Sequence, residues 1–189
     1  MRITGGELCG RMIAVPKSDS IRPTQDRVRE AFFSMIQCEI PGAKFLDLFA
    51  GTGAVGLEAI SRGASGVTFV EMNAKHLEIL RKNIEAFRKL PLAELVRSDA
   101  YRYVDCYAGT GFDIVFADPP YALGEERGYV GVLKTLAERG VVKPGGLFAA
   151  EMTSVQNVGD VPGWDMLRDR TYGKTRICLW RRIVGEHLP

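Results

Sequence analysis

The tetrapeptide Asp118-Pro119-Pro120-Tyr121 is the part of the sequence whose residue types best fit a chemical role. It follows the apolar run 112–117, which predicts a buried strand. The Asp118 carboxylate and the Pro119 carbonyl are both acceptors, and the prolines fix φ so that this carbonyl is rigid. Each acceptor could take one N–H of a base's exocyclic amine and leave the nitrogen lone pair free to attack an electrophile. Tyr121 could stack on the base.

A purely structural interpretation of the same residues also exists. A Pro-Pro pair after a strand often forms a turn, and a tyrosine beside it can simply pack. The chemical interpretation is favoured because a second motif upstream predicts a nucleotide-like ligand.

That second motif is Gly-x-Gly-x-x-Gly, formed by Gly51, Gly53 and Gly56. It comes directly after a predicted strand and opens a predicted helix, which is the context that a nucleotide-binding turn requires. Glu71 ends the next strand, twenty residues after Gly51, where a carboxylate can accept hydrogen bonds from ribose hydroxyls. The alternative is a tight turn without a ligand, with Glu71 capping the following helix.

Two aspartates indicate which nucleotide cofactor the chain binds. Asp47 lies four residues before Gly51 and could face the ammonium of a methionine moiety, which nicotinamide cofactors lack. Asp99 could accept from an adenine amine and the Ala100 amide could donate to a ring nitrogen, although Asp99 could equally be a helix N-cap. The predicted cofactor is S-adenosylmethionine. Its predicted contacts are Asp47, Phe49, Ala50, Gly51, Thr52, Gly53, Glu71, Met72, Asp99 and Ala100.

Short apolar runs alternating with helical stretches predict the elements that position these residues. The pattern is typical of a mostly parallel α/β sheet with crossover helices. Strands are predicted at about 44–48, 67–71, 93–97, 112–117, 146–151, 164–171 and 175–182, the last two antiparallel. Helices are predicted at about 25–37, 54–62, 74–88, 99–107 and 126–139, after an N-terminal hairpin. In an open parallel sheet, ligands bind at the carboxyl ends of strands, so Asp47, Glu71, Asp99 and Asp118 should share one rim.

Length and composition fit one globular domain. The 189 residues are predicted to form a single domain, with 1–42 as an N-terminal extension and 43–189 as the catalytic core. The net charge is only +2, yet residues 168–189 hold six basic and two acidic residues. The four cysteines are scattered without a Cys-x-x-Cys pair, which predicts neither a zinc site nor disulfides. No signal segment or membrane span is predicted, which favours a cytoplasmic protein. No bound metal is expected.

The motifs together resemble a known family. Asp118-Pro119-Pro120-Tyr121 with the segment 47–53 is similar to Rossmann-type amino-methyltransferases. The segments 2–6, 10–11 and 22–30, with 172–175 near the C-terminus, resemble the bacterial guanine-N2 methyltransferases that act on 16S ribosomal RNA.

This resemblance implies several properties of the chain. They are a seven-stranded Rossmann-like methyltransferase fold, S-adenosylmethionine as donor, and a guanine N2 amine in 16S rRNA as acceptor. Assembled or assembling small ribosomal subunits would be the partner. Apart from the resemblance, a monomer is expected. Asp118, Pro119, Pro120 and Tyr121 would hold the guanine. Further substrate contacts are expected from Arg11, Arg22, Thr24, Arg27, Arg29 and Lys174. The four arginines would meet rRNA phosphates or the cofactor carboxylate, though each could equally lie on a solvated surface.

Three other functions share part of the pattern. A DNA adenine-N6 or cytosine-N4 methyltransferase would use the same tetrapeptide, but it usually carries a target-recognition domain for which this chain has no room. A nicotinamide-dependent oxidoreductase shares the glycine motif but does not explain Asp118-Pro119-Pro120-Tyr121. A non-catalytic RNA-binding module would need neither Glu71 nor Asp118.

Overall fold

The computed structural model describes residues 1–16, 23–119, 128–156 and 158–185, except for the side chains of 23–25 and 90. Within them the helices are α1 (Pro23–Met35), α2 (Ala54–Ser61), α3 (Ala74–Ala86), α4 (Ala100–Asp105) and α5 (Gly128–Glu138). The strands are β1 (Lys44–Leu48), β2 (Gly66–Glu71), β3 (Ala93–Arg97), β4 (Phe112–Ala117), β5 (Val142–Thr153), β6 (Trp164–Tyr172) and β7 (Thr175–Arg182). A short 3-10 helix, Leu90–Leu92, precedes β3.

The strands form one seven-stranded sheet in the order β3-β2-β1-β4-β5-β7-β6. The pairs β1–β2, β2–β3 and β4–β5 are parallel, whereas β7 pairs antiparallel with both β5 and β6. The predicted mostly parallel sheet with an antiparallel C-terminal edge is therefore confirmed. Contacts within the chain group it into two compact units, Met1–Ala100 and Tyr101–Pro189. The prediction of a single domain over 1–189 stays a prediction.

Two strands of the first unit, β1 and β2, are buried on both faces along most of their length. In β1 every residue after Lys44 is buried, and β2 is buried from Val67 to Val70. Helix α3 packs on these strands through Leu80 and Ile84, both fully buried. Strands covered on both faces have continuous apolar runs, which explains why periodicity alone placed β1 correctly.

Within the described residues 1–16, the N-terminal segment makes one β-bridge, between Arg2 and Met12, supported by hydrogen bonds from Ile3 N to Arg11 O and from Ile13 N to Met1 O. The predicted hairpin is thus present in reduced form. Its apolar residues Ile3 and Ile13 are buried, which anchors the segment to the unit.

A buried ion cluster joins this segment to α1 and α2. The Glu58 side chain is fully buried, and its carboxylate lies 2.6 Å from Arg29 Nε and 2.8 Å from Arg62 Nη2. Arg29 also lies 3.0 Å from Asp26 Oδ1, and the Thr4 hydroxyl donates to Glu58 Oε1. A buried carboxylate needs such partners because desolvation penalises an isolated charge.

The second unit has an aromatic core behind β5. Phe148 stacks on Trp180 at 5.6 Å between ring centroids and meets the edge of Trp164 at 6.3 Å. The Trp164 indole N–H donates to the backbone oxygen of Leu133 in α5 at 3.1 Å, which ties that helix to the sheet. These contacts hold β5 and α5 firmly in place.

The largest departure from the predicted elements is β5. It begins at Val142 rather than near 146, because Phe112 pairs with Val142 before the register shifts to Ile114 opposite Leu147. The Lys143-Pro144-Gly145-Gly146 segment suggests a turn, and Gly145 does have a φ of +77°. The structure places this irregularity inside the strand. Among the described residues, no helix is long and apolar enough to span a membrane.

The ion cluster generates a stability prediction. Glu58→Ala should lower the free energy of unfolding by about 3 to 5 kcal/mol, since it leaves the Arg29 guanidinium buried without its main partner. Urea denaturation should show a lower midpoint with an unchanged slope.

The matched control is Lys82→Ala, which breaks the fully exposed pair between Lys82 and Glu78 (2.7 Å). Its midpoint should not change measurably, because solvent screens exposed pairs. A Glu58→Ala midpoint that matches the control would contradict a supporting role for the cluster.

Candidate functional site

The turn after β1 combines three positive φ angles. Phe49 has a φ of 62°, Gly51 of 54° and Gly53 of 85°. Ala50 N donates to Val70 O at 3.0 Å, and Gly53 N donates to Ala50 O at 2.8 Å, which closes the turn before α2. A non-glycine residue with positive φ is uncommon, so Phe49 marks a tightly determined backbone.

The three glycines of this turn are required for different reasons. A Cβ added to Gly53 would lie 2.2 Å from Leu80 Cδ1, and one added to Gly56 would lie 2.2 Å from Phe69 Cε1. These two glycines allow the helix to pack against the sheet. A Cβ on Gly51 would meet nothing within 4 Å. Packing therefore does not explain Gly51. Its positive φ already favours glycine, and its open side is in addition available to a ligand.

Asp47 stabilises this turn through a hydrogen bond to the helix that follows it. Its side chain is only 2% exposed, and Oδ2 accepts a hydrogen bond from the Gly56 N–H at 2.8 Å. A carboxylate at the first turn of a helix is favourable because the amides there lack helical partners. The structure thus gives Asp47 a bracing role. Its predicted contact with a cofactor ammonium stays a prediction.

Glu71, at the end of β2, lies at the rim of the same turn. Its Oε2 accepts from Gly51 N at 2.8 Å and its Oε1 accepts from Asn73 N at 2.7 Å. An ionised carboxylate has about four lone-pair sites, so capacity remains for hydroxyl donors. The side chain of Met72, which follows, is 64% exposed and offers an apolar surface.

Asp99 precedes α4, and Ala100 is the first residue of that helix. Asp99 is half-buried, and its backbone oxygen accepts from the Ser98 hydroxyl at 2.9 Å. The first unit thus places an open glycine, a partly used carboxylate and an exposed apolar side chain on strand ends. This donor and acceptor set fits the ribose and base of a nucleoside cofactor.

In the second unit, Asp118 and Pro119 directly follow β4. The Asp118 side chain is exposed to solvent, yet the surrounding protein desolvates it enough to raise its pKa to about 6. Pro120 and Tyr121 lie outside the described residues, as does the whole segment 120–127.

Sequence reasoning missed two residues near Asp118. Glu151 lies on β5, and burial together with the Asp118 charge raises its pKa to about 8. Tyr129 in α5 is buried, and its hydroxyl donates to the Glu151 backbone oxygen at 3.2 Å. A signal for Glu151 existed, because it ends the predicted strand 146–151 just as the chosen carboxylates end theirs. Tyr129 carried no such signal.

The residues predicted to contact RNA behave differently from one another. Arg29 is only 5% exposed and is held in the ion cluster, so in this structure it serves the fold, and its predicted substrate contact stays a prediction. Arg11 is exposed, but it donates to Ala86 O at 2.8 Å and lies over the Phe87 ring. Arg27 lines a cavity of about 470 Å³ with Arg2.

Lys174 is exposed beside Gly173 in the turn between β6 and β7. Arg22 and the side chain of Thr24 lie outside the described residues. Within the described ranges, no group of three or more His, Cys, Asp or Glu side chains is arranged to hold a metal ion.

Comparisons with known proteins are consistent with this arrangement. The family model described as conserved hypothetical protein 95 matches residues 1–181. The ribosomal RNA small subunit methyltransferase D of Escherichia coli is 37% identical over 185 residues, covering 96% of this chain and 90% of that protein. The protein of the same name from Haemophilus influenzae is 32% identical over 185 residues, with 96% and 93% covered.

A solved structure agrees with the sequence comparisons. The Escherichia coli protein yhhF matches with a TM-score of 0.85 at 36% identity, covering 98% of this chain and 99% of that chain. The predicted Rossmann-like methyltransferase fold and the resemblance to small-subunit rRNA methyltransferases are both confirmed. The chain belongs to the conserved hypothetical protein 95 family, and its relatives there include the small-subunit ribosomal RNA methyltransferases D.

Proposed function

We propose that this chain is an S-adenosylmethionine-dependent methyltransferase that acts on the exocyclic N2 amine of a guanine in 16S rRNA. The observation that carries the proposal is the Asp118-Pro119 pair at the end of β4, where a solvent-accessible carboxylate and a rigid carbonyl follow one another. The names of the relatives that cover nearly the whole chain support RNA as the substrate. The acceptor atom and the base come from the resemblance of the motifs.

The first unit would hold the donor. Glu71 would accept from the ribose hydroxyls, Met72 and Asp99 would meet the adenine, and the open side of Gly51 would allow close approach to the backbone. Ala50 and Thr52 lie in the same turn, and Phe49 sets its entry. When bound, the donor supplies an electrophilic methyl group on a sulfonium.

The second unit would hold the acceptor base. The Asp118 carboxylate would accept one amine N–H and the Pro119 carbonyl the other, which leaves the nitrogen lone pair directed at the electrophile. Orientation and preorganised acceptors would account for most of the rate. The methylated nitrogen is strongly acidic, so it would lose its extra proton to Asp118 or to water. Asp118 therefore acts first as an acceptor of a hydrogen bond and only then as a base.

The protonation state of Asp118 sets a pH limit. Because burial raises its pKa to about 6, the carboxylate is mostly ionised at neutral pH and becomes neutral below about pH 6. A protonated carboxyl is a weaker acceptor for the amine N–H. Methyl transfer should therefore be lost as the pH falls through about 6.

Small ribosomal subunits, assembled or assembling, are the proposed partner, and a cytoplasmic monomer is the proposed form. Exposed Arg27 and Lys174, and Arg22 outside the described residues, would contact phosphates. A DNA amino-methyltransferase is the main rival, since the amine chemistry is the same. The relatives named for rRNA favour RNA.

One assay distinguishes these substrates. The chain is incubated with labelled donor and unmethylated small subunits, free rRNA or DNA, and the products are digested to nucleosides and identified by mass. N2-methylguanosine from subunits or rRNA is the expected product. A labelled DNA base or N6-methyladenosine would refute the assignment.

Replacing Asp118 should separate binding from turnover. Asp118→Ala is expected to lower turnover about 100-fold or more, because the amine loses its charged acceptor, while donor affinity stays within about twofold. Single-turnover rates and isothermal titration with S-adenosylmethionine measure the two effects. Asp160→Ala, at an exposed aspartate outside any element, should change neither. Equal loss of both properties in Asp118→Ala would contradict the proposed division of roles.

Gly51 provides a test of the donor site. Gly51→Ala should weaken donor binding about tenfold or more, because its Cβ would occupy the open side of the turn. The control is Gly42→Ala, at a glycine that also has a positive φ (+79°) and open space around it, so it introduces similar backbone strain away from the turn. Both should lower the melting temperature by a similar amount. Unchanged donor affinity in Gly51→Ala would argue against a cofactor on this turn.

A further inference from the structure

Strand register brings a second carboxylate next to Asp118. In the parallel pair β4–β5, Phe116 lies opposite Ala149 and Ala117 opposite Ala150. β4 ends at Ala117, and one further step of this register would bring Asp118 to Glu151, in agreement with the effect of the Asp118 charge on Glu151. Paired strands lie about 4.8 Å apart, and register partners in a parallel pair point to the same face of a sheet. The two carboxyl groups are therefore close enough for the charge of one to act on the other.

The surroundings of Glu151 are apolar and contain little that could compensate a charge. Its neighbours in β5, Ala150 and Met152, are buried, and Glu151 is itself half-buried. Buried Tyr129 packs close enough to donate its hydroxyl to the Glu151 backbone oxygen. In the part of the chain that the structure describes, no salt bridge joins Asp118 or Glu151 to a lysine, arginine or histidine.

Two ionisable groups near the pair, Tyr129 and Cys178, remain uncharged near neutral pH. Burial raises the pKa of Tyr129 in α5 and raises that of Cys178 in β7 to about 11, so both keep their protons. Tyr101 in α4 contributes to the environment of Tyr129 as another phenol. Arg176, on β7, is held by a two-point hydrogen bond to Asp169, at 2.7 and 2.6 Å.

Two carboxyl groups so placed cannot both ionise without strong mutual repulsion. One of them keeps a proton. Asp118 is the more accessible to solvent, so it is the member that ionises first, with a pKa of about 6 against about 8 for Glu151. Between these values the pair holds one proton and one negative charge.

We propose that Glu151 is a positioning residue, which retains the shared proton and thereby keeps Asp118 as the single, hydrogen-bonded anion that faces the substrate amine. This inference rests on the proposed function and adds to it. Neutral Glu151 can donate its O–H toward Asp118, which restrains that carboxylate. An ionised Glu151 would repel Asp118 and attract water. The carboxyl group of Glu151, on the adjacent strand β5, thus makes Asp118 an effective acceptor.

The first test measures protonation and does not depend on catalysis. Carbon-13 NMR of the full chain, labelled at Asp and Glu carboxyl carbons, follows both groups as pH changes. In the wild-type chain Asp118 should titrate near pH 6 and Glu151 near pH 8. Asp118→Asn removes the neighbouring charge and should lower the pKa of Glu151 by about one unit or more. A Glu151 pKa that does not move, or that is normal in the wild-type chain, overturns the proposal.

The second test measures the consequence for turnover. Glu151→Leu removes the O–H donor and should lower kcat about tenfold with donor affinity unchanged. Glu151→Gln keeps a neutral donor of the same length and should restore kcat to within about threefold of wild type at pH 7. If Gln and Leu behave alike, Glu151 only fills space and the positioning role is wrong.

The two tests also separate this inference from the proposed function. A wild-type chain that methylates neither rRNA nor subunits would refute the function, even with coupled titrations. Coupled titrations absent in an active wild-type enzyme would refute the shared proton alone. Circular dichroism of each variant confirms that folding is retained.

Discussion

Parallel strand pairing is the constraint on which the rest of this structure depends. Because parallel strands run in the same direction, their carboxyl ends lie at one edge, and whatever residue follows each strand is brought to that edge. In the first unit this places the Gly51 turn after β1, Glu71 at the end of β2 and Asp99 after β3. In the second unit the same rule makes Asp118 and Glu151 neighbours. The chemistry of both units therefore follows from strand direction.

The protein handles its carboxylates in two contrasting ways. Fully buried Glu58 is neutralised by two guanidinium groups, from Arg29 and Arg62, and serves the fold. The described surroundings of Asp118 and Glu151 supply no such cation, and a proton takes its place. Ion pairing gives a charge that is insensitive to pH near neutrality, whereas a shared proton leaves one acceptor available to a substrate. Among the residues that the structure describes, the lack of a cation beside Asp118 is thus consistent with a working site.

The glycine motif shows how one pattern can serve both fold and ligand. Gly53 and Gly56 are needed because Leu80 and Phe69 occupy the space that a Cβ would fill. Of the three glycines, Gly51 alone has open space where a Cβ would lie, and its amide N–H donates a hydrogen bond to the Glu71 carboxylate. A motif match alone does not separate these roles. The clearances around each Cβ position do, and among these three glycines Gly51 alone has open space for a ligand.

The sequence alone determined the element order and the mostly parallel sheet with its antiparallel edge. It also determined that Asp118, Glu71 and the Gly51 turn each lie at or after the end of a strand. These features could be predicted because hydrophobic periodicity and glycine spacing are local properties of the chain. Only the tertiary structure decided that Arg29 is buried, that Asp47 braces α2, that β5 begins at Val142, and that Glu151 lies beside Asp118. These facts depend on which residues meet across strands and helices far apart in the chain. Burial and register are set by such long-range packing, and no local pattern encodes them.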